Sequence, residues 1–242
     1  MRSYWNMNTF AQPSVQELRM RADASLKSAK KKGQAFEPVL PEKGREICRS
    51  WWGKAWCANL ERYADYRSRL DRGKRYIRSG TVVDLKIRGG KVEARVQGSR
   101  KIPYKVAIRI SPLSEDKCQQ IIEKCGRRID SLEKLIAGEF PEEFKEVFLE
   151  EDGLFPRPTE ISFDCSCPDW ALMCKHVAAA MYAIGVRLDE NPFYFFILRG
   201  IDVDRFIDVT LENKVESMLQ NADQVTERVM DEADLAELFG VL

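Results

Sequence analysis

The sequence predicts an α+β fold, a small antiparallel sheet covered by helices. Three consecutive segments between Thr81 and Ile110 alternate apolar and polar residues with the period of a strand, while the flanking segments repeat apolar residues with the period of a helix. With 242 residues and 44% hydrophobic content, the chain can bury a sizeable core, as one large domain or two small ones.

Residues 1–46 read as a basic, partly flexible arm. Within it, ASLKSAKKKGQAFEPVLPEKG mixes polar, basic and Pro/Gly positions and is expected to order on contact with something else. Ser14 to Lys30 nevertheless has a helix start, with Ser14 as N-cap and Glu17 completing a capping box. Residues 47–112 read as a basic helix plus a three-stranded antiparallel sheet. The helix begins near Ser50 and places Trp52, Trp56, Leu60 and Tyr63 on one face. Three tryptophans in six residues would suit base stacking, yet a stripe at this spacing reads as core. After the basic run RSRLDRGKRYIRSG, TVVDLKIR and KVEARVQG flank a Gly89-Gly90 turn. This is a hairpin, with Val83, Leu85 and Ile87 on one face answered by Val92, Ala94 and Val96. PYKVAIRI continues the alternation as a third strand.

Residues 113–153 form a helical connector. SEDKCQQIIEKCG starts at the Ser114 cap and ends at Gly126, RRIDSLEKLIAG repeats apolar residues at Ile129, Leu132, Leu135 and Ile136, and Pro141 opens PEEFKEVFLEE. Cys118 and Cys125, seven apart on one helix face, read as core residues. Cys48 and Cys57 read the same way, since none of the four has a histidine nearby or C-x-x-C spacing. Residues 201–242 read as an acidic helical C-terminus with Leu211, Val215, Met218 and Leu219 at helical intervals.

The chemistry concentrates in CSCPDWALMCKH, residues 165 to 176, which holds three of the seven cysteines and the only histidine. Written by spacing it is Cys165-x-Cys167-x6-Cys174-x-His176. Two close pairs of soft or borderline ligands separated by a short loop suit a tetrahedral structural Zn2+ held by three thiolates and an imidazole, with no position left for water. EISFD before the cluster alternates as a strand, so Cys165 and Cys167 project to the same side. KHVAAAMYAIGVRL after it is helical, with Val177, Met181, Ile184 and Leu188 as its stripe, and its N-terminal dipole favours a site whose charges sum to −1. Three other readings compete. A redox dithiol prefers C-x-x-C, an all-core reading leaves the lone histidine's position unexplained, and an iron–sulfur cluster usually takes four cysteines. Residues 154–200 are therefore read as a zinc-binding segment that follows the helical segments.

The motif resembles the C-x-C-xn-C-x-H signature of the SWIM zinc-finger family, with all four ligands in place. KHVAAAMYAIGVRLDENPFYFFILRGID is similar to the family's bacterial branch, where the helix after the last ligand leads into an Asn/Asp-Pro-Phe segment. Upstream, SWWGKAWCANLE, RGKRYIRSG and VEARVQGSRKIPYKVAI also resemble that branch, so the resemblance spans about Arg45 to Asp202. It implies a structural zinc, a small strand-strand-helix zinc finger over residues 154–200, and a role in DNA or protein binding. It further implies an accessory relationship to Swi/Snf-type helicase-like ATPases.

Charge adds an independent hint. Met1 to Ile110 contains 26 Lys/Arg against 10 Asp/Glu, and Ser111 to Leu242 contains 13 against 28, although the whole chain is only +1. A basic face for a polyanion is one reading, and mutual neutralisation of the two parts is the other. The nucleic-acid candidates are Arg67, Arg69, Arg72, Lys74, Arg75 and Arg78 with Tyr76 as a stacking side chain, and Lys30, Lys31 and Lys32 in the arm. Enzymatic function is not expected. The chain has neither a G-x-x-x-x-G-K-[ST] loop nor a G-x-G-x-x-G fingerprint, the deaminase zinc motif is missing, and the metal consumes the one imidazole. The expected function is a non-enzymatic zinc-binding accessory factor that contacts DNA. A protein-interaction adaptor docking a helicase-like ATPase is the alternative. With no run of eighteen apolar residues and no signal-peptide pattern, no membrane partner and a cytoplasmic location are expected.

Overall fold

The computed structural model describes residues 13–62, 67–126, 140, 142–150, 153–169, 171 and 173–222. Helices α1 (Val15–Lys31), α2 (Trp51–Arg62) and α3 (Arg67–Arg78) precede strands β1 (Val82–Arg88), β2 (Lys91–Val96) and β3 (Tyr104–Ile110). Then come α4 (Glu115–Gly126), the short α5 (Phe144–Leu149), β4 (Ile161–Cys165), α6 (Lys175–Glu190), α7 (Tyr194–Arg199) and α8 (Val203–Ala222). The expected α+β architecture is present, with helices against a four-stranded antiparallel sheet of order β1-β2-β3-β4.

The hairpin forms where the pattern placed it, with Leu85 opposite Ala94 and Ile87 opposite Val92. Gly89 and Gly90 carry positive φ of 46° and 74°, the conformation a tight hairpin turn needs. One detail differs: a register shift between Val82 and Asp84 pairs Val82 with Val96 and leaves Val83 as the extra residue of a bulge. The strand before the metal cluster joins this same sheet, since β4 pairs with β3 from Val106–Cys165 to Ile110–Ile161. Of the strand-strand-helix finger, β4 and α6 supply one strand and the helix. Among the described residues between them, Ser166 to Cys174 bend without forming a second strand.

Helix α6 is the centre of the packing. Every residue from His176 to Val186 is buried, not only the stripe its periodicity suggested. Small side chains make this possible: an ideal Cβ on Gly73 of α3 would lie 2.6 Å from the Ala178 Cβ, so the two helices touch almost backbone to backbone. The basic run RSRLDRGKRYIRSG carries α3, whose Leu70, Gly73 and Ile77 face inward. The tryptophans are core residues, as their spacing indicated. Trp56 is buried, and the indole N–H groups of Trp51, Trp52 and Trp56 donate to the carbonyls of Phe140, Leu188 and Met181.

The arm corrects an expectation. Its capping box forms as read, but Leu18, Ala22 and Ala29 bury one face of α1, and Val39 bridges to Val82 on the edge of β1. Apolar positions inside a basic segment dock it. Cys48 and Cys125 are buried and Cys57 and Cys118 half-buried, in keeping with core roles. The helix read over residues 127–138, the proline at 141 and the acidic stretch from 223 onward lie outside the described residues. No described helix is long and apolar enough to cross a membrane.

A buried ion pair fixes where β4 starts. Arg199, 2% exposed, donates to the Ser111 carbonyl at 2.7 Å and to Glu160 at 2.9 Å. Burial draws the Glu160 carboxyl upward, but the Arg157 amide and Arg199 prevail and hold it below the usual range. A depressed carboxyl stabilises the fold above its unfolded pKa of about 4.3, and that stability is lost as pH falls through the lower folded value.

Two outcomes are expected. Gly73→Ala should destabilise the chain by about 1–3 kcal/mol in chemical denaturation, although alanine is the better helix former, because its methyl has no room beside Ala178. Glu160→Gln strands a buried guanidinium and should cost about 3 kcal/mol near neutral pH. In acid titrations the difference from wild type should shrink below pH 4.

Candidate metal centre

Three local structures deliver the four ligands. Cys165 is the last residue of β4, Cys167 follows in the bend, Cys174 is the N-cap of α6, and His176 is the second residue of that helix. Cys174 has extended backbone angles, and its sulfur accepts from the Val177 amide at 3.5 Å. The extended cap places two residues separated by one on the same side of the helix entrance.

The donor atoms of Cys165, Cys167, Cys174 and His176 all lie within 4.8 Å of one another. The imidazole turns Nδ1 toward the sulfurs, 3.8 Å from Cys174 and 4.0 Å from Cys165. A tetrahedral zinc with metal–sulfur bonds of about 2.3 Å needs donor separations of roughly 3.7 Å, so the cluster fits. Three thiolates and one imidazole close all four positions, which makes this a structural site suited to Zn2+.

Electrostatics prepare it. The hydrogen bond from Cys165 holds the Cys174 thiol down, at about 3, against burial and with help from His176 and the Val177 amide. Donating that bond pushes Cys165 up, with burial adding to the effect, and burial raises Cys167. The Cys174 sulfur sits at the N-terminus of α6, where the helix dipole favours its thiolate form, and metal binding requires the ligating thiols to lose their protons.

The surroundings clamp the histidine. Its ring stacks on Tyr104 with centroids 4.2 Å apart and meets Tyr76 edge-on at 5.5 Å. Its Nε2 is buried with no hydrogen-bond partner among the described residues. Metal-bound histidines usually donate this second nitrogen to a carboxylate or carbonyl. Here a tight aromatic slot replaces that partner. A Cβ on Gly98 would lie 2.9 Å from Nε2 and 2.6 Å from the Tyr104 ring, so only glycine leaves the slot open. Across the bend, Arg69 of α3 pairs with Asp169, which also accepts from the Ala171 amide at 3.3 Å. Burial raises the Asp169 carboxyl, but Arg69 outweighs it and the net shift is downward.

All four metal candidates converge, whereas the nucleic-acid candidates separate. Tyr76 is 5% exposed and offers no free face to a base, which overturns its reading as a stacking side chain. Its i+3 spacing from Gly73 turns it inward. Arg69 holds the metal loop, Lys74 pairs with Glu61, and Arg75 and Arg78 donate to the carbonyls of Pro13 and Arg45. Arg72, Lys30, Lys31 and Lys32 are exposed, and the side chain of Arg67 lies outside the described residues. Sequence reasoning missed Gly98, Tyr104 and Asp169 as parts of the site. A glycine closing a strand hinted at a close approach for Gly98, but the other two carry no local signal.

Residues 164–185 match the family model of the SWIM zinc finger. The chain is also 38% identical over 156 residues to the uncharacterized protein Rv2102 of Mycobacterium tuberculosis, an alignment covering 64% of this chain. It spans 56% of the relative, so the chain matches about half of that protein's length. No solved structure matches.

Purified protein should carry one zinc per chain. Cys174→Ser should lose it together with much of its helical circular dichroism, since α6 loses its cap and its staple to β4. Gly98→Ala keeps every ligand, yet it should weaken zinc retention about 10–100-fold in chelator competition, as disturbed ligand support does elsewhere.

Proposed function

We propose that the protein is a non-enzymatic, zinc-stabilised accessory factor that contacts nucleic acid, DNA in the first place. The carrying observation is how its charges pair. Arg49–Glu42, Lys54–Glu46, Lys74–Glu61, Lys86–Glu37, Lys91–Glu93 and Arg95–Asp84 all close within residues 1–110, and Arg69–Asp169 joins that half to the acidic one. The pairs among described residues thus leave the basic excess standing. Lys30, Lys31, Arg72, Arg88, Lys105 and Arg109 are exposed, and such cations supply phosphate contacts without sequence reading. Against an enzyme stands the commitment of the one histidine to the metal cluster.

A second reading has its own observation. Leu211, Val215, Met218 and Leu219 are all exposed on α8, as the adaptor alternative needs for docking a partner such as a helicase-like ATPase.

One pair of experiments separates them. Affinity for a labelled duplex should fall about a thousandfold between 50 and 200 mM salt if six phosphates are contacted. Absence of binding at the lower salt removes the nucleic-acid reading. Val215→Glu with Leu219→Glu should leave duplex binding intact, and loss of a co-purifying ATPase in that variant would favour the adaptor.

A further inference from the structure

Between the later turns of α1 and the loop joining β2 to β3 lies a cleft of about 540 Å3. Ser25, Ser28 and Lys32 enter it from one face of α1, and Arg95, Lys101 and Ile102 close it from the other side. No carboxylate lines it among the described residues. Lys32 and Lys101 are exposed and form no ion pair among the described residues. Two cations, the Ser28 hydroxyl and part of Arg95 therefore face a volume with few acceptors. Such a donor-rich lining suits an anion with several oxygens.

The loop is held before any ligand arrives. The Gln97 side chain accepts from Ser25 at 2.6 Å and donates to the Gly98 carbonyl at 3.1 Å and to that of Arg100, while Arg21 donates to the Ser99 carbonyl. Arg100 lies over the Tyr104 ring at 5.3 Å, the ring that stacks on His176. The metal centre thus braces the root of this loop. Its tip holds the most exposed large hydrophobic side chain described, Ile102 at 77%, next to Lys101.

The cleft also continues beyond itself. Arg95 is opposite Lys105, and further along the solvent face of the sheet Arg88, Lys91 and Arg109 face one another across three strands. Asp84, Glu93 and Asp164 share that face and are outnumbered by its cations. Like charges directly opposite destabilise a sheet, and a polyanion laid across them removes the repulsion. A single small anion would fill the cleft but leave this track uncovered. The one aromatic among the described residues that line the cleft, Phe36, has Arg95 over its ring at 4.7 Å, so base stacking is blocked and backbone contact is favoured.

We propose that this cleft seats the sugar-phosphate backbone of double-stranded DNA, with Ser28, Lys32, Arg95 and Lys101 on phosphates and Ile102 laid into the minor groove. The assignment rests on the nucleic-acid reading above and gives it a location away from α3.

Fluorescence anisotropy with the full, zinc-loaded chain and a short labelled duplex tests it. Lys32→Ala and Lys101→Ala should each weaken binding several-fold and lower the salt slope by about one. Ile102→Ala should weaken binding at unchanged slope, Lys101→Arg should restore it, and Lys124→Ala on α4, whose cation already pairs with Glu150, should bind as wild type. Thermal melts of these surface variants should match wild type. A duplex-binding chain whose Lys32→Ala/Lys101→Ala variant keeps both affinity and slope would overturn the cleft while leaving the nucleic-acid reading intact. Failure of the wild-type chain to bind any nucleic acid overturns both. Binding confined to single strands or to an acidic peptide overturns the duplex assignment.

Discussion

The structure depends on a helix with no face to solvent. From His176 to Val186, α6 is enclosed by the sheet, α2 and α3. A buried helix still has a terminus with unsatisfied amides and a positive dipole end, and neither can be left bare in an apolar setting. The sulfur of Cys174 takes the Val177 amide, and the thiolate cluster faces the dipole. The metal site is thus also the cap of the central helix. Because Cys165 ends the edge strand β4, the same site joins the sheet to the helix packed beneath it. Zinc here acts on the whole core.

The same enclosure decides what the basic residues do. Helix α3 is rich in arginine and lysine, yet it lies against α6 through Leu70, Gly73 and Ile77 and extends its cations sideways to Asp169, Glu61 and two backbone carbonyls. These bonds hold the metal bend, the start of α1 and the segment before α2. A high count of positive charge in a stretch of sequence therefore marks structural anchoring as readily as a ligand surface. What distinguishes the two is whether each cation already has an acceptor, and on α1 and the open sheet face several have none among the described residues.

Much of this was legible because it is local. The hairpin follows from alternation and two glycines, α1 from its capping box, and the ligand set from spacing within twelve residues. The rest is set by contacts distant in sequence. Ile110 and Ile161 begin the β3–β4 pairing across a gap no periodicity reveals. In α3 the interior stripe is only three or four residues wide and is hidden by the charges between them. Tyr104, Gly98 and Asp169 become parts of the metal centre through folding alone, and a burial pattern in sequence cannot tell a core tyrosine from one stacked on a ligand.

The slot around His176 explains why a metal placed in the core bears on the surface. Nε2 has no acceptor among the described residues, where ring packing and the contacts at Nδ1 orient the imidazole. Tyr104 carries that packing outward: one face meets His176, the ring lies under Arg100, and Gly98 fits against its edge. Fixing the backbone of a residue costs about 1–2 kcal/mol. A loop already ordered by the metal need not incur that cost again when it meets a partner. The stack also sets a direction for the coupling. A partner that holds the loop in the same conformation must retain zinc more firmly, because linkage between two sites is reciprocal.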